Sequence, residues 1–202
     1  MIAIIDYGVG NLFSLEASFK KIGAETLVTA DKDIILSADK IILPGVGAFG
    51  DAITKLKESG LDLTVKKAVA EGKHLLGICL GMQLLFEYSK EFGHHEGLGI
   101  IEGGIVPLKD HIPNDLKVPQ MGWNALTFKR QSRLFKYINE GDFVYFVHSF
   151  YGINCSESLI ATTEYGTTVT AAVERGNVFG CQFHPEKSGE VGLNILRAFI
   201  EA

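Results

Sequence analysis

The first 88 residues alternate short apolar runs with segments whose apolar positions recur at helical spacing. Residues 2–6 are an apolar run that ends in an acid, which is typical of a buried strand. Residues 12–22 then repeat apolar positions at helical spacing until Gly23 ends the pattern. The same alternation predicts strands at 25–29, 40–43 and 74–79 and helices at 48–56, 62–71 and 81–88. Apolar strands separated by helices indicate a parallel sheet covered on both faces.

The pattern changes after about residue 95, where glycines become frequent and the helical spacing weakens. We expect the β-rich runs of this half to add antiparallel strands beside the parallel core, followed by a C-terminal helix at about 191–200. No repeat, linker or low-complexity segment interrupts the chain, so the sequence predicts a single domain over residues 1–202. The β-rich runs are residues 98–107, 118–128, 143–151, 158–163, 169–174 and 178–183.

Composition and charge narrow the class of protein. Hydrophobic residues make up 47% of the 202 positions and charged residues 21%, which is ordinary for a globular chain. The net charge of −5, with both signs interspersed, offers no basic surface for nucleic acid or anionic lipid. No apolar run approaches the roughly 18 to 20 residues that cross a bilayer, and the N-terminal run lacks a basic leader. We therefore expect neither a nucleic-acid partner nor a membrane partner.

The three cysteines, Cys79, Cys155 and Cys181, are an odd number at irregular spacing. This pattern argues against a disulfide framework and favours a reducing compartment. His94 and His95 are adjacent, but no second ligand cluster completes a metal site beside them. The sequence therefore predicts a cytoplasmic protein that needs no metal ion or other cofactor.

One cysteine lies where a predicted strand meets a predicted helix. The segment Gly77–Gly81 places Cys79 between two glycines, each two positions away. At a strand-to-helix turn this arrangement holds a nucleophile in a strained conformation, and the glycines let other backbone approach closely. The helix N-terminus favours the thiolate, and the N–H of Leu80 points toward a developing oxyanion. An isolated cysteine is more often an inert core residue, but the glycines and the strand-to-helix turn favour a catalytic role for Cys79. Cys155 and Cys181 lack this setting.

A cysteine nucleophile needs a base within hydrogen-bond reach and a third group that orients the base. Among the six histidines, His184 and His148 are the two serious candidates, and each ends a predicted strand. Pro185 and Glu186 follow His184, so a rigid loop would project an imidazole and a carboxylate together. The carboxylate would hold the tautomer and stabilise the imidazolium. His148 has no carboxylate nearby in the sequence and could be a satisfied polar residue, so we prefer His184.

The turn Pro44–Gly47 follows the predicted strand at 40–43. A Pro-Gly-x-Gly turn can expose successive backbone N–H groups to an anion, although an ordinary strand-to-helix loop explains this turn equally well on its own. In a parallel sheet the carboxyl ends of neighbouring strands share one crevice. This turn and the turn at Cys79 could therefore face the same carbonyl group.

These segments resemble the class I, triad-type, glutamine amidotransferases. The two signature motifs of that family are similar to Gly77–Gln83 and Gln182–Glu186, in the expected order. Within the family, the resemblance is to members that supply ammonia for histidine biosynthesis, and it spans nearly the whole chain. It implies a flavodoxin-like fold with a mostly parallel central sheet flanked by helices. The segments that carry this closer resemblance are Asp6–Asn11, Leu43–Phe49, Met121–Asn124, Tyr145–Ser149 and His184–Ser188.

The resemblance also implies a role for each residue of the site. Cys79 attacks the carboxamide of L-glutamine, His184 shuttles the proton and Glu186 orients the histidine. The implied partner is a (β/α)8-barrel cyclase, which receives the ammonia within a heterodimer and forms imidazole glycerol phosphate. The remaining implied residues are Val46, Gly47 and Leu80 for the oxyanion, Gln83, Glu91, Ser149 and Phe150 for the amino-acid head group, and Asn11, Trp123, Tyr145 and Lys187 for the partner.

Simpler roles and other functions remain open. Asn11 could cap a helix, Trp123 could be a core aromatic residue, and Lys187 could be a solvated charge. A related ammonia-supplying subunit could serve amino-sugar synthesis instead. A cysteine hydrolase on a flavodoxin-like sheet would act on larger substrates without a partner, and a binding module would leave Cys79 inert.

Overall fold

The structure is a computed structural model that describes residues 1–202. None of its helices combines the length and the apolar character of a membrane span. The helices are α1 (Leu12–Lys21), α2 (Lys32–Ser37), α3 (Phe49–Glu58), α4 (Leu61–Ala70), α5 (Leu80–Leu84) and α6 (Gly189–Glu201). The strands are β1 (Ile2–Ile5), β2 (Thr26–Thr29), β3 (Lys40–Leu43), β4 (His74–Ile78), β5 (Phe86–Ser89), β6 (His95–Glu96), β7 (Ile101–Pro107), β8 (Gln120–Ala125), β9 (Thr127–Phe128), β10 (Phe143–His148), β11 (Phe150–Ile153), β12 (Leu159–Glu164), β13 (Thr168–Arg175) and β14 (Val178–Cys181).

An eight-stranded sheet has the order β2-β1-β3-β4-β14-β13-β12-β9. The strands from β2 to β14 in that order pair in parallel, and the last three are antiparallel to their neighbours. Two smaller sheets have the orders β10-β8 and β11-β7-β5-β6. The predicted fold, a mostly parallel sheet with helices and added antiparallel strands, is confirmed.

β1 is buried along its whole length, and β3 and β4 are buried after their first residue, because both faces of the sheet are covered at these strands. In β1, Ala3 and Ile5 pack into one layer of 26 buried residues, whereas Ile2 and Ile4 pack into a second layer of 24. Helices α2, α3 and α4 contribute to the first layer, and α1 and α6 contribute to the second. This two-sided burial explains why the sequence shows continuous apolar runs instead of strict alternation.

The helix predicted over residues 81–88 is wrong in its second half. α5 ends at Leu84, and Phe86–Ser89 forms β5, which pairs with β7 and β6. Phe86 and Ser89 are fully buried in this arrangement. Aromatic residues suit strands, and the tertiary pairing with β7 overrides the helical spacing of the local sequence.

Three other features of the fold refine or correct the sequence prediction. The runs at 98–107, 118–128 and 143–151 supply strands of the two smaller sheets, which are separate from the central sheet. The run at 178–183 contains β14, which pairs in parallel with β4 and therefore belongs to the parallel core. The sequence pattern does not predict α2, whose N-cap Asp31 accepts two backbone N–H groups. Its six residues are too few to show a helical repeat.

The strands β3, β4 and β14 are neighbours and run parallel, so their carboxyl ends lie at the same edge of the sheet. The segments that follow them begin at Pro44, Cys79 and Gln182. Segments distant in the sequence therefore meet where an open α/β sheet usually binds its ligand.

Candidate active site

Cys79 lies in a sharp turn between β4 and α5. Its backbone has φ 53° and ψ −111°, a conformation that residues other than glycine rarely adopt. A Cβ on Gly77 would lie 2.8 Å from the Gly81 oxygen, and a Cβ on Gly81 would overlap the carbonyl oxygen of Leu43. The close backbone approach expected from the glycines is therefore present, and the turn holds Cys79 in the strained conformation that the motif predicts.

His184 follows β14 and is held by both its side chain and its backbone. Its Nδ1 lies 2.7 Å from Oε1 of Glu186, and both side chains are almost fully buried. Its N–H donates to the Tyr145 carbonyl at 2.9 Å, and its own carbonyl accepts from the Ser188 hydroxyl at 2.6 Å. The second oxygen of Glu186 is buried without a hydrogen-bond partner. The imidazole is therefore the one side-chain donor to this carboxylate.

The surroundings of His184 favour its charged form. Burial alone lowers the pKa of His184, but hydrogen bonding to Cys79 and Glu186, together with their negative charges, raises it to about 10. The imidazolium is the form that can give a proton to a leaving group. A protonated His184 beside Cys79 is also the partner that a thiolate needs in a buried site.

The oxyanion loop, residues 44–47, follows β3 and reaches the same place. The N–H groups of Val46 and Gly47 donate to no acceptor in the protein, and Gly47 has φ +94°. Leu80 is the first residue of α5, so its N–H has no acceptor one helical turn earlier. Three backbone donors are thus available near the Cys79 turn, as the oxyanion prediction requires.

A cavity of about 780 Å³ collects most of the predicted residues. Its lining includes Cys79 and His184, the three oxyanion residues, the four head-group residues and Lys187, while Glu186 lies behind His184. Glu91 lines the cavity and accepts the N–H of Phe49 at 2.7 Å, which ties it to the start of α3. Burial raises the pKa of Glu91.

His148, the alternative base, is fully engaged elsewhere. Its Nδ1 lies 2.9 Å from the Phe150 carbonyl oxygen and its Nε2 lies 3.0 Å from the side-chain amide of Gln120. Burial, helped by the nearby charge of His184 and opposed by the hydrogen bond to Phe150, lowers the pKa of His148 to about 4. Both ring nitrogens therefore have hydrogen-bond partners within the protein, which fits a satisfied polar residue at a strand end.

Sequence comparison identifies the family of this site. The family model for glutamine amidotransferase class-I matches residues 3–202. The chain belongs to the class I glutamine amidotransferases. A protein of Bacillus licheniformis named imidazole glycerol phosphate synthase subunit HisH is 53% identical over 98% of this chain and 95% of its own length. A protein of the same name from Caldanaerobacter subterraneus is 50% identical over 100% of this chain and 98% of its own length.

Solved structures support the same fold at greater evolutionary distance. A structure described as a glutamine amidotransferase superimposes with a TM-score of 0.76 at 19% identity, covering 100% of this chain and 98% of that one. The structure of PurLQS from Thermotoga maritima gives a TM-score of 0.76 at 18% identity, covering 99% of this chain and 97% of that one. At this identity the likeness establishes the class I glutamine amidotransferase fold and nothing about substrates.

Three of the four residues expected to face a partner lie together outside the cavity lining or at its edge. Trp123 in β8 pairs with Tyr145 in β10, and their rings meet edge to face at 6.0 Å. The Lys187 ammonium lies 5.9 Å from the Tyr145 ring centre. Trp123 is 52% exposed, so it is not the core aromatic of the simpler interpretation. Asn11 caps α1 by accepting the Ser14 N–H at 3.4 Å, which is the simpler role considered for it.

Sequence reasoning missed three residues of this amidotransferase site. Gln182 is fully buried, and its Nε2 lies 3.7 Å from Cys79 Sγ. Tyr7 donates its hydroxyl to the Pro44 carbonyl at 2.7 Å and so anchors the oxyanion loop. Phe92 lines the cavity with φ 51° and is 88% exposed. Gln182 stood inside a recognised motif, whereas the roles of Tyr7 and Phe92 depend on contacts and backbone angles that no local pattern reveals.

Proposed function

We propose that this chain hydrolyses L-glutamine to glutamate and ammonia and supplies the ammonia for imidazole glycerol phosphate formation in histidine biosynthesis. The observation that carries the proposal is the buried arrangement of Cys79, His184 and Glu186 at the carboxyl edge of the sheet. It occurs in a chain that is about half identical, over nearly full length, to relatives named subunits of imidazole glycerol phosphate synthase.

In the first half of the proposed reaction, the Cys79 thiolate attacks the side-chain carbonyl of glutamine. The carbon–sulfur bond forms, and the negative charge on oxygen is stabilised by the N–H groups of Val46, Gly47 and Leu80. His184 gives its proton to the amide nitrogen, which leaves as ammonia with the collapse of the tetrahedral intermediate. The raised pKa of His184 suits this step because the imidazolium is present at neutral pH.

In the second half, water hydrolyses the thioester. His184, now neutral, accepts a proton from the water as its oxygen attacks the carbonyl carbon. The carbon–sulfur bond then breaks, and its electron pair returns to Cys79 as thiolate, which leaves glutamate as the product. Glu186 keeps Nδ1 of His184 in place through both steps and stabilises the imidazolium. The two steps consume only glutamine and water.

The walls of the cavity suit the amino-acid end of glutamine. Gln83, Glu91, Ser149 and Phe150 all line the cavity. The Gln83 amide nitrogen donates to the Phe150 carbonyl at 3.0 Å, so the segment at Ser149 and Phe150 is fixed relative to α5. Glu91 brings a carboxylate that can accept from the α-ammonium group of the substrate.

The proposed partner is a (β/α)8-barrel cyclase subunit that forms a heterodimer with this chain. Trp123 and Lys187 are exposed and lie against the half-buried ring of Tyr145, and Met121, in the same strand as Trp123, is also exposed. Aromatic residues and methionine are enriched at the centres of protein interfaces. The cytoplasm is the proposed location, since all three cysteines are free thiols.

The proposal is tested by measuring glutamate release from glutamine, with and without the cyclase subunit and its nucleotide ligand. We expect strong stimulation by the partner and loss of activity in Cys79→Ala. Cys155→Ala is the matched control, because Cys155 is buried beside Thr170 and lies outside the cavity lining. That variant should retain the partner-stimulated rate.

Other outcomes assign the chain differently. An equal rate of glutamine hydrolysis with and without the cyclase would support the glutaminase activity. It would indicate another ammonia acceptor, such as an amino-sugar synthase. Absence of turnover under every condition, together with a Cys79 that does not react with a glutamine-like alkylating analogue, would overturn the catalytic proposal.

A further inference from the structure

Gln182 is a polar residue that the mechanism above does not use, although it lies beside the reacting atom. It follows β14, its side chain is fully buried, and its N–H donates to the Ala171 carbonyl at 2.8 Å. Its side-chain oxygen accepts the Gln83 Nε2 at 3.0 Å, and its side-chain nitrogen lies 3.7 Å from Cys79 Sγ. A buried carboxamide must have partners for both ends, and here the sulfur is one of them.

The contacts around Gln83 determine which end of the Gln182 amide faces the sulfur. The Phe150 carbonyl oxygen can only accept a hydrogen bond, so the Gln83 atom 3.0 Å away is its nitrogen. The same nitrogen faces the Gln182 amide, whose nearer atom must then be the accepting oxygen. The remaining end of Gln182 is therefore NH2, and this donor points at Cys79.

We propose that Gln182 is a further catalytic residue, which donates a side-chain N–H to the sulfur of Cys79 as thiolate and again as the sulfur leaves the thioester. The inference rests on the proposed function only in taking Cys79 as the nucleophile. A sulfur that carries negative charge accepts this bond strongly, and a neutral thioester sulfur accepts it weakly. The bond therefore favours the two states in which Cys79 is charged.

Gln182 and His184 stabilise the thiolate in different ways. His184 loses its proton to the departing ammonia and regains one from water, so its charge changes during each turnover. The amide of Gln182 cannot transfer a proton at ordinary pH, and its N–H remains a donor throughout. α5 is only five residues long, so this directed side-chain donor complements a short helix N-terminus.

The same network defines what Gln83 offers the substrate. Both hydrogens of its side-chain nitrogen are used, one by the Phe150 carbonyl and one by Gln182. Its remaining group is the carboxamide oxygen, an acceptor. Gln83 therefore accepts from the ammonium group of glutamine and does not donate to its carboxylate.

The test follows the pH dependence of Cys79 alkylation by iodoacetamide in the isolated chain, without glutamine or partner. Gln182→Glu keeps an oxygen for Gln83 and replaces the donor by a second oxygen, whereas Gln182→Met removes both polar ends at similar length. A hydrogen bond to a charged group supports an expected rise of at least about one pH unit in the alkylation midpoint of both variants. Gln131→Glu, the same change at an exposed position, should retain the wild-type midpoint.

A midpoint that stays at the wild-type value in either folded variant overturns the proposal. A measurement on the wild-type chain covers the case in which both variants unfold. Alkylation of Cys79 removes its charge, so the Gln182 side-chain N–H proton should move upfield in the NMR spectrum, and an unmoved resonance also overturns the proposal. Neither readout requires turnover, so a negative result here leaves the glutaminase test standing, and a failed glutaminase test leaves this one interpretable.

Discussion

The two sides of the cavity are built differently, although Cys79 on one side and residues 44–47 on the other both follow neighbouring parallel strands of the central sheet. The site floor, defined as Cys79, His148, Gln182, His184 and Glu186, is buried, and side-chain hydrogen bonds connect its members to neighbouring segments. The site rim, defined as residues 44–47 together with Phe92, has Val46 44% exposed and Phe92 88% exposed. Two backbone donors of the rim have no acceptor in the protein.

This difference separates two requirements of the proposed reaction. The thiolate and its proton donor need a buried site that keeps their charges paired, and the floor provides it. The oxyanion exists only during the reaction, so its donors are unpaired until substrate charge develops. Because Val46, Gly47 and Phe92 are exposed, the geometry of this part of the rim can change at a lower free-energy cost than that of the floor.

The largest expected effect comes from Gly81→Ala, which tests whether the turn at Cys79 and the start of the rim at Pro44 are in close backbone contact. The added Cβ would overlap the Leu43 carbonyl oxygen, so strands β3 and β4 would have to separate at their ends. We expect a loss of about 4 kcal/mol or more in the free energy of unfolding, measured by urea denaturation. Gly72→Ala is the control, because Gly72 has φ +87° but no atom near its Cβ position, so this variant should lose only about 1 to 2 kcal/mol, through backbone strain. Equal losses would contradict the packing argument.

A pH titration of stability tests the buried character of the floor at His148. Its pKa is about 4 in the folded protein and 6.5 in the reference state, so the unfolded chain binds more protons between these values. Stability should therefore fall as the pH drops from about 6.5 to 4, and His148 should account for about 3 kcal/mol of that fall. His148→Gln removes this contribution. Stability curves of the variant and the wild type that remain parallel over this range would show that His148 is hydrated.

Gly47→Ala tests whether strain in the rim stays local. Gly47 has φ +94° with open space around its Cβ position, so the variant adds backbone strain without a steric clash. We expect about 1 to 2 kcal/mol of strain, relieved by movement of the exposed loop. The glutaminase kcat should fall roughly ten-fold while the melting temperature changes little. A fall in melting temperature like that of Gly81→Ala would mean that the rim is as fixed as the floor.

The smallest expected effect comes from Tyr7→Phe, which removes one anchor between floor and rim. Burial, and after it the charge of Cys79, raises the pKa of Tyr7, so its hydroxyl stays protonated and donates to the Pro44 carbonyl. Losing this bond should cost about 1 kcal/mol of stability and lower kcat a few-fold. Tyr165→Phe loses a similar bond to the Lys117 carbonyl in an exposed loop and should leave kcat unchanged. A Tyr7→Phe enzyme with wild-type kcat would show that the loop does not need this anchor.

The sequence predicted most of the parallel core because two-sided burial leaves a local signal. β1, β3 and β4 are continuous apolar runs, and each was placed within a residue or so of its observed bounds. The sequence also shows the β-rich runs of the smaller sheets, but it does not show which strands pair, because pairing depends on residues far apart in the chain. Phe150 pairs with Pro107, and Tyr88 pairs with Gly104, across segments that the local pattern does not connect.

The residues of the candidate site also divide into those that a local sequence pattern marks and those that it does not. Cys79, His184 and the oxyanion loop lie at the ends of strands, where turn residues mark them in the sequence. Gln182 lies next to a marked residue, but its role depends on the direction of an amide that only three-dimensional contacts determine. Tyr7 contacts Pro44 across 37 positions. The functional roles assigned to these residues stay predictions until the variants are measured.

The contact between Gly81 and the Leu43 carbonyl has a consequence for protein engineering. The nucleophile motif looks like a portable cassette of five residues, yet its second glycine is fitted to a carbonyl that belongs to another strand. Grafting these five residues onto a different α/β scaffold would therefore reproduce the turn only if the neighbouring strand of that scaffold ends with its backbone carbonyl in the same position. The transferable unit is the pair of adjacent strand ends together.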